Sequence, residues 1–269
     1  MPVREGAPPV FLAEPPAPPV RLCIGTPMYG GQAFDGYQSG MFDLQAECGQ
    51  RGIALGQIII RNESDIRRGR NNVLHRFLHS DATHLLFVDA DITFAARDAL
   101  RVVAHCQANP DAIVGATYRR KTLDRHDYAF IPMPHGTPVL AAELVEVIAL
   151  PGGFMCIPRR IAERMAGAHH AEWYTDSNLQ GARVIDLAAP IIDEHHVYWS
   201  EDYALCRRWR ALGGRVLLDP NIELGHTGTV TLDGTPRALL VPAAHAAPQP
   251  PAATVVELDA LGRRAECIA

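Results

Sequence analysis

Short apolar runs along the chain predict strands that are buried on both faces. Seven runs of four to seven residues are rich in Val, Ile, Leu, Phe and Ala, with little polar alternation. They lie at residues 20–26, 57–60, 84–88, 112–116, 144–150, 154–157 and 215–218. Strands of this kind are typical of a sheet that is covered by helices on both sides.

Apolar residues spaced three and four positions apart predict helices between these strands. One stripe precedes the run at 84–88 and a second precedes the run at 112–116, and they consist of Val73, Leu74, Phe77 and Leu78, and of Leu100, Val103 and Ala104. A later helix is predicted to begin after Ser200 and to end at Gly213. The alternation predicts a parallel arrangement in the first half and a mixed sheet in the second.

The ends of the chain differ from its middle. Residues 1–19 form a Pro-rich leader, predicted to be disordered, and residues 236–269 a Pro/Ala-rich linker with a short tail, which leaves 20–235 as one predicted domain. We expect no signal peptide, because the first twenty residues are Pro-rich and lack an unbroken apolar run. We also expect no membrane span, because no run approaches the roughly 18 apolar residues that a span needs.

The net charge and the cysteines of the chain bear on its binding partners and on its redox environment. The net charge of -5 argues against a protein held to nucleic acid mainly by neutralising phosphates. The six cysteines are scattered without a C-x-x-C pair, which favours a reduced, cytoplasmic setting.

Two carboxylates, Asp89 and Asp91, directly follow the apolar run at 84–88. If the strand stays extended, both point to one side and Ala90 to the other. Ligands of parallel sheets bind beyond the carboxyl ends of the strands, and such a pair suits a divalent cation that grips a diphosphate. The D-x-D tripeptide is common, however, and is often only a polar strand end.

Three other features gain weight beside this pair. Glu201 and Asp202 fall in the first turn of a predicted helix, where acidic residues often serve only as caps. His226 follows Gly225 after the last predicted strand, where a histidine is either a metal ligand or simply solvated. Arg70 opens the helix before the D-x-D strand and is either a diphosphate ligand or part of a solvated basic face.

Six motifs occur in a characteristic order along residues 20–230: Thr26-Pro27, Arg70-Asn71, LLFVDAD, PGGFMCIPRR, SEDYALCRRWRALGG and LGHTG. This ordered set resembles nucleotide-sugar-dependent glycosyltransferases of the GT-A fold. The nearest type is the fungal mannan polymerases, with related viral and bacterial transferases. The resemblance implies a GT-A-like, Rossmann-type α/β/α sandwich with a mixed central sheet.

The resemblance also implies roles for individual residues. Asp91 and His226 bind the metal, and Asp89 is a further metal ligand or contacts the ribose or a metal-bound water. The residues implied in donor binding are Thr26, Pro27, Arg61, Asn62, Arg70, Asp89, Gly152 and Gly153. Glu201 and Asp202 are implied as catalytic, reaching the sugar or the acceptor hydroxyl. A histidine ligand beside carboxylates favours Mn²⁺ over Mg²⁺.

The expected function is metal-dependent transfer of a sugar from a UDP- or GDP-sugar to an acceptor hydroxyl. The acceptor stays open among glycan, protein, lipid and modified nucleic acid. If the reaction inverts the anomeric centre, Asp202 is the expected base; if it retains it, Asp202 positions substrate. Two alternatives remain: a sugar nucleotidyltransferase, although residues 26–38 lack the basic loop it needs, and a catalytically silent sugar-nucleotide or glycan-binding module.

Overall fold

The apolar runs form strands and the periodic stripes form helices, close to their predicted positions. A computed structural model of the protein describes residues 19–122, 127–134 and 144–229. The helices in these ranges are α1 (Asp35–Arg51), α2 (Ile66–Leu78), α3 (Ala96–Ala108), α4 (Arg159–Ala168) and α5 (Glu201–Ala211). The strands are β1 (Arg21–Met28), β2 (Ala54–Arg61), β3 (His84–Val88), β4 (Ile92–Thr93), β5 (Ala112–Gly115), β6 (Ile131–Pro132), β7 (Val145–Ala149), β8 (Phe154–Pro158), β9 (Trp173–Asp176), β10 (Ala182–Ile185), β11 (Ile191–Ile192), β12 (Tyr198–Trp199), β13 (Arg215–Leu218) and β14 (Gly225–His226).

Eight of these strands form one mixed sheet in the order β2-β1-β3-β8-β5-β13-β7-β6. The strands β2, β1 and β3 are parallel neighbours, and β13 is parallel to β5. Strand β8 is antiparallel to both β3 and β5, so β1, β2, β3, β5 and β13 all point the same way. Their carboxyl ends therefore lie at one edge of the sheet, which we call the carboxyl edge. The predicted α/β fold with a mixed central sheet is confirmed.

Helices cover both faces of the sheet. Side chains of β3 alternate between the two faces: Leu86 and Val88 pack with α1 and α3, whereas Leu85 and Phe87 pack with α2, α4 and α5. All four are fully buried, and each such side chain contributes about 1.5–3 kcal/mol through burial. The layers are therefore helix, sheet and helix, as the resemblance implied.

Helix α1 is the one long element that the apolar pattern did not identify individually among the described residues, beside the short strands β4, β6, β9, β10, β11, β12 and β14. Its buried face consists of Tyr37, Gly40, Leu44 and Cys48, of which Leu44 alone is an aliphatic side chain. A side chain at Gly40 would meet the backbone oxygen of Phe94 at 2.7 Å. The helix thus packs through close backbone approach, which a count of large apolar residues does not detect.

Some of the segments for which the sequence makes predictions lie outside the described residues. The predicted leader, apart from Pro19, and the predicted tail at 236–269 are among them, as is Cys267. The other five cysteines are buried and form no disulfide. None of the helices in the described ranges has the length and apolar character needed to cross a membrane.

Candidate functional site

Residues from several elements meet at the carboxyl edge. Helices α2 and α5 precede strands that end there, so their amino ends begin at this edge, and β8 starts there because it runs the opposite way. Arg70 near the start of α2, Asp89 after β3 and Gly152 before β8 are joined by hydrogen bonds. Gly152 in turn donates its backbone N–H to Asp202 in the first turn of α5, at 2.9 Å.

The D-x-D segment is a turn, which corrects the expectation of an extended strand end. Strand β3 ends at Val88, and the backbone N–H of Ile92 donates to the carbonyl oxygen of Asp89 at 3.0 Å. The two carboxylates consequently have different partners. Asp89 is bound by Arg70, and Asp91 by Lys121 and His226.

A short two-stranded ladder brings His226 to Asp91. Strand β14 pairs with β4 so that His226 lies opposite Ile92, and the N–H of Thr227 donates to the backbone oxygen of Asp91 at 2.9 Å. The Nε2 atom of His226 lies 3.6 Å from Oδ2 of Asp91. The prediction that these two residues converge, although they are far apart in sequence, is confirmed in position.

The geometry of this pair fits a divalent cation. Nδ1 of His226 is 2.7 Å from the carbonyl oxygen of Arg119, and a carbonyl only accepts, so Nδ1 donates this hydrogen bond and the ring is held with Nε2 toward Asp91. Two atoms that each lie about 2.1 Å from one cation can be at most about 4.2 Å apart. The observed 3.6 Å meets this limit.

The negative charge of the Asp91 carboxylate is strongly stabilised by its neighbours. Burial alone would raise the pKa of this carboxyl, but hydrogen bonds and charges from His226 and Lys121 outweigh burial and lower the pKa to about 2. The Lys121 Nζ atom lies 2.5 Å from Oδ2 of Asp91. Asp91 is thus an anion at neutral pH, as a metal ligand must be.

The predicted set of three metal ligands is not assembled. In the described ranges, no group of three or more His, Cys, Asp or Glu side chains is placed to hold a metal ion. Both carboxylate oxygens of Asp89 accept from the guanidinium of Arg70, at 3.2 and 3.1 Å. Of the three predicted ligands, Asp91 and His226 are therefore the two that lie together, and Asp89 is held apart by Arg70.

Arg70 is buried and its guanidinium bonds several partners, so it is not a solvent-exposed cation. Arg70 is only 2% exposed. Besides Asp89, its guanidinium donates to Glu201 at 3.1 Å and to the backbone oxygen of Gly152 at 3.2 Å. Burial alone would lower its pKa, but Asp89, Glu201 and Asp202 raise it, so the guanidinium stays charged. This placement favours a positioning role; direct contact with a donor diphosphate stays a prediction.

The two adjacent carboxylates at the start of α5 point to different surroundings. Glu201 is bound by Arg70, and burial, opposed by the charge of Arg70, raises its pKa. Asp202 accepts from the N–H of Gly152 through Oδ2 and from the hydroxyl of Ser200 through Oδ1. Ser200 begins the helix as predicted, but its hydroxyl holds Asp202 instead of capping a backbone N–H.

Asp202 faces a cavity of about 360 Å³ at the carboxyl edge. The residues that line this cavity are Tyr118, Arg120, Lys121, Ala129, Pro151, Ser200, Asp202, Tyr203 and His226. Burial raises the pKa of Tyr118 well above its usual range, so its hydroxyl stays protonated. Sequence patterns gave no signal for Tyr118, because its role depends on where the loop after β5 lies.

The glycines before β8 make room for neighbouring side chains. A Cβ at Gly152 would lie 2.4 Å from Cζ of Arg70, and one at Gly153 would lie 2.5 Å from the hydroxyl oxygen of Tyr118. The N–H of Asp89 also donates to the backbone oxygen of Gly153 at 3.2 Å. Contact of these glycines with a donor sugar, as the resemblance implied, stays a prediction.

The predicted nucleoside-binding residues lie at the ends of β1 and β2. Thr26 is fully buried, and its hydroxyl lies 2.7 Å from that of Tyr37, which the sequence did not single out. Pro27 is half-buried, whereas Arg61 and Asn62 are exposed. Thr26 is therefore part of the buried support of this edge. The predicted nucleoside-binding residues that a ligand could reach are Pro27, Arg61 and Asn62.

Comparisons with known proteins give similarity in structure without similarity in sequence. No family model and no curated protein matches the chain. The chain resembles the crystal structure of A197 from STIV, with a TM-score of 0.49, 17% identity, and coverage of 78% of this chain and 87% of that one. It also resembles GalNAc-T7, solved with UDP, GalNAc and Mn²⁺, with a TM-score of 0.48, 10% identity, and coverage of 81% of this chain but 45% of that one. At these values neither match assigns an activity to this chain.

Proposed function

We propose that this protein is a GT-A-type glycosyltransferase. It transfers a sugar from a UDP- or GDP-sugar to a hydroxyl of an acceptor, with a divalent cation, Mn²⁺ in preference to Mg²⁺, bound at the carboxyl edge. The acceptor belongs to one of four classes, namely glycan, protein, lipid or modified nucleic acid, and the proposed location is the cytoplasm.

One observation carries this proposal: a carboxylate–imidazole pair suited to a cation lies at the cavity that a separate carboxylate faces, and the imidazole lines that cavity. Asp91 and His226 form the pair at 3.6 Å, and Asp202 lies at the start of α5 on the wall that His226 also lines. Sugar transfer needs these two functions in one place, since charge develops on the leaving diphosphate while a hydroxyl loses its proton.

Asp91 and His226 would hold the cation through a carboxylate oxygen and Nε2. Once bound, the cation supplies stabilisation of the negative charge on the leaving nucleoside diphosphate. The hydrogen bond from Nδ1 of His226 to the oxygen of Arg119 fixes the ring so that Nε2 faces the site. The pair is thus oriented before any ligand arrives.

In an inverting transfer, Asp202 is the group that orients the acceptor and receives its proton; in a retaining transfer it positions the substrate. The acceptor oxygen forms a bond to the anomeric carbon, the bond from that carbon to the diphosphate breaks, and the hydroxyl proton passes to a carboxylate oxygen of Asp202. Hydrogen bonds from Gly152 and Ser200 hold this carboxylate in place. Arg70 supports the same wall by holding Asp89, Glu201 and the Gly152 carbonyl.

Turnover with a panel of donors tests the activity. UDP- and GDP-sugars are supplied with Mn²⁺, and release of nucleoside diphosphate is measured with and without candidate acceptors. Asp202→Asn should bind nucleotide as the parent does and lower turnover by about 10²- to 10⁴-fold, the usual contribution of a general base. The exposed carboxylate of Asp43 on α1 provides a matched control, and Asp43→Asn should leave turnover unchanged.

The same experiment separates the alternatives. Formation of pyrophosphate from a nucleoside triphosphate and a sugar phosphate would identify a nucleotidyltransferase. Nucleotide binding without turnover of any donor would identify a binding module. Normal turnover in Asp202→Asn would remove this residue from the proposed chemistry.

A further inference from the structure

The sequence of 269 residues contains one lysine, Lys121, and 24 arginines. Arginine is a planar, wide donor, whereas lysine carries a compact charge with three rotatable N–H donors on a flexible four-carbon stem. A chain that uses arginine almost everywhere thus places its single lysine beside Asp91, the expected cation ligand.

The ammonium group occupies the same carboxylate oxygen that a cation would use. Nζ of Lys121 lies 2.5 Å from Oδ2 of Asp91, the same atom that faces Nε2 of His226 at 3.6 Å. One carboxylate oxygen that accepts at short distance from an ammonium cannot at the same time take a divalent cation at bonding distance without moving the lysine. The two positive groups therefore compete for Asp91.

The lysine side chain has room to leave. Its side chain is 41% exposed, and its stem passes Gly228, where a Cβ would lie 3.0 Å from Cδ of Lys121. It lines the same cavity as Asp202 and Tyr118. A diphosphate that completes the coordination of a cation at Asp91 and His226 would bring its oxygens within reach of this stem.

We propose that Lys121 has two alternative partners: Asp91 when no divalent cation is bound, and a phosphate oxygen of the donor once a cation has taken its place. The proposal rests on the proposed function for the identity of the donor. In this arrangement the cation must displace Lys121, and the displaced ammonium then binds the ligand that arrives with the cation. Lys121 thereby couples cation binding to diphosphate binding.

Binding of Mn²⁺ alone tests the first half. Lys121→Met keeps the length of the stem and removes the charge, so calorimetry should show about three- to fivefold tighter Mn²⁺ binding, the scale of a partly exposed ion pair. Lys121→Arg keeps a positive charge and should stay within about twofold of the parent. Arg120 is the matched control, because it lines the same cavity but pairs with Asp127 at 3.3 Å.

Outcomes of this first measurement are decisive without any donor. Tighter Mn²⁺ binding in Lys121→Met, with Arg120→Met unchanged, supports the competition. Unchanged or weaker Mn²⁺ binding in Lys121→Met overturns it, and so does an equal gain in Arg120→Met, which would show a general effect of charge. Matching unfolding midpoints establish that the variants are folded.

Nucleotide binding at saturating Mn²⁺ tests the second half. Under this condition the gain in cation affinity no longer contributes, and Lys121→Met should bind UDP and GDP about tenfold more weakly than the parent, as expected for loss of a charge-assisted hydrogen bond. Equal affinity overturns transfer of the ammonium to phosphate. If both binding effects appear but no sugar is transferred from any donor, this inference stands and the proposed glycosyltransferase activity fails.

Discussion

At the carboxyl edge, a glycine leaves room for a buried arginine, and that arginine pairs with neighbouring carboxylates. Gly152 approaches the guanidinium of Arg70 so closely that no side chain fits between them. Arg70 in turn forms ion pairs with Asp89 and Glu201, which would otherwise be two partly buried carboxylates without a cationic partner, close to a third at Asp202. Removing one partner of such a buried network typically costs about 3–5 kcal/mol, because the remaining charges lose their compensation.

Replacement of Gly152 by alanine tests this close approach. The added Cβ would lie 2.4 Å from Cζ of Arg70, and overpacking of this kind lowers the free energy of unfolding by about 1–3 kcal/mol. Gly167 on α4 is the control, since a Cβ there meets no atom within 4 Å. Gly167→Ala should raise stability by up to about 1 kcal/mol through helix propensity. Urea unfolding measures both, and a Gly152→Ala variant as stable as the parent would contradict the packing described.

Individual elements follow from sequence wherever burial is continuous. Strands β3 and β13 have the predicted limits because a run of apolar residues buried on both faces has few alternatives. The turn at Asp89–Asp91 was not predictable, since it depends on the hydrogen bond from Ile92 to Asp89 and on separate partners for the two carboxylates. The burial of Arg70 was likewise hidden, because its partners come from three distant segments.

The first residue of β3, His84, is a titratable group that makes the stability of the folded protein depend on pH. His84 pairs with Leu22 and Pro158 in the sheet, and burial, aided by the charge of Arg160, lowers its pKa from 6.5 to about 4. Below pH 6.5 the unfolded chain binds a proton that the folded chain binds only near pH 4, so stability is lost as the pH falls through this window.

Replacement of His84 by leucine should remove this dependence. Between pH 7 and pH 5 the free energy of unfolding of the parent should fall by about 2 kcal/mol more than that of His84→Leu. Urea unfolding of both proteins at the two pH values gives the difference directly. The same fall in both proteins would show that His84 is not held neutral by the fold.

At the scale of the whole domain, sheet direction decides which sequence motifs meet. Five strands end at one edge, and the antiparallel β8 begins there, so segments separated by more than 100 residues in sequence share one cavity. The order of motifs predicted that Asp91, His226 and Asp202 would lie at this edge. It did not predict Tyr118 or the contact of Lys121 with Asp91, because these depend on the course of the loop after β5.

The central claim is that Asp91 and His226 bind a cation which is needed for nucleotide binding. Calorimetry of UDP and GDP, with Mn²⁺ and with Mn²⁺ removed by a chelator, tests it most directly. The parent should bind one of the two nucleotides in a Mn²⁺-dependent manner, and both Asp91→Asn and His226→Ala should weaken this binding at least about tenfold. His79→Ala, an exposed change at the far end of α2 from Arg70, should bind as the parent does. Nucleotide binding by His226→Ala that is as tight and as Mn²⁺-dependent as that of the parent would contradict the account.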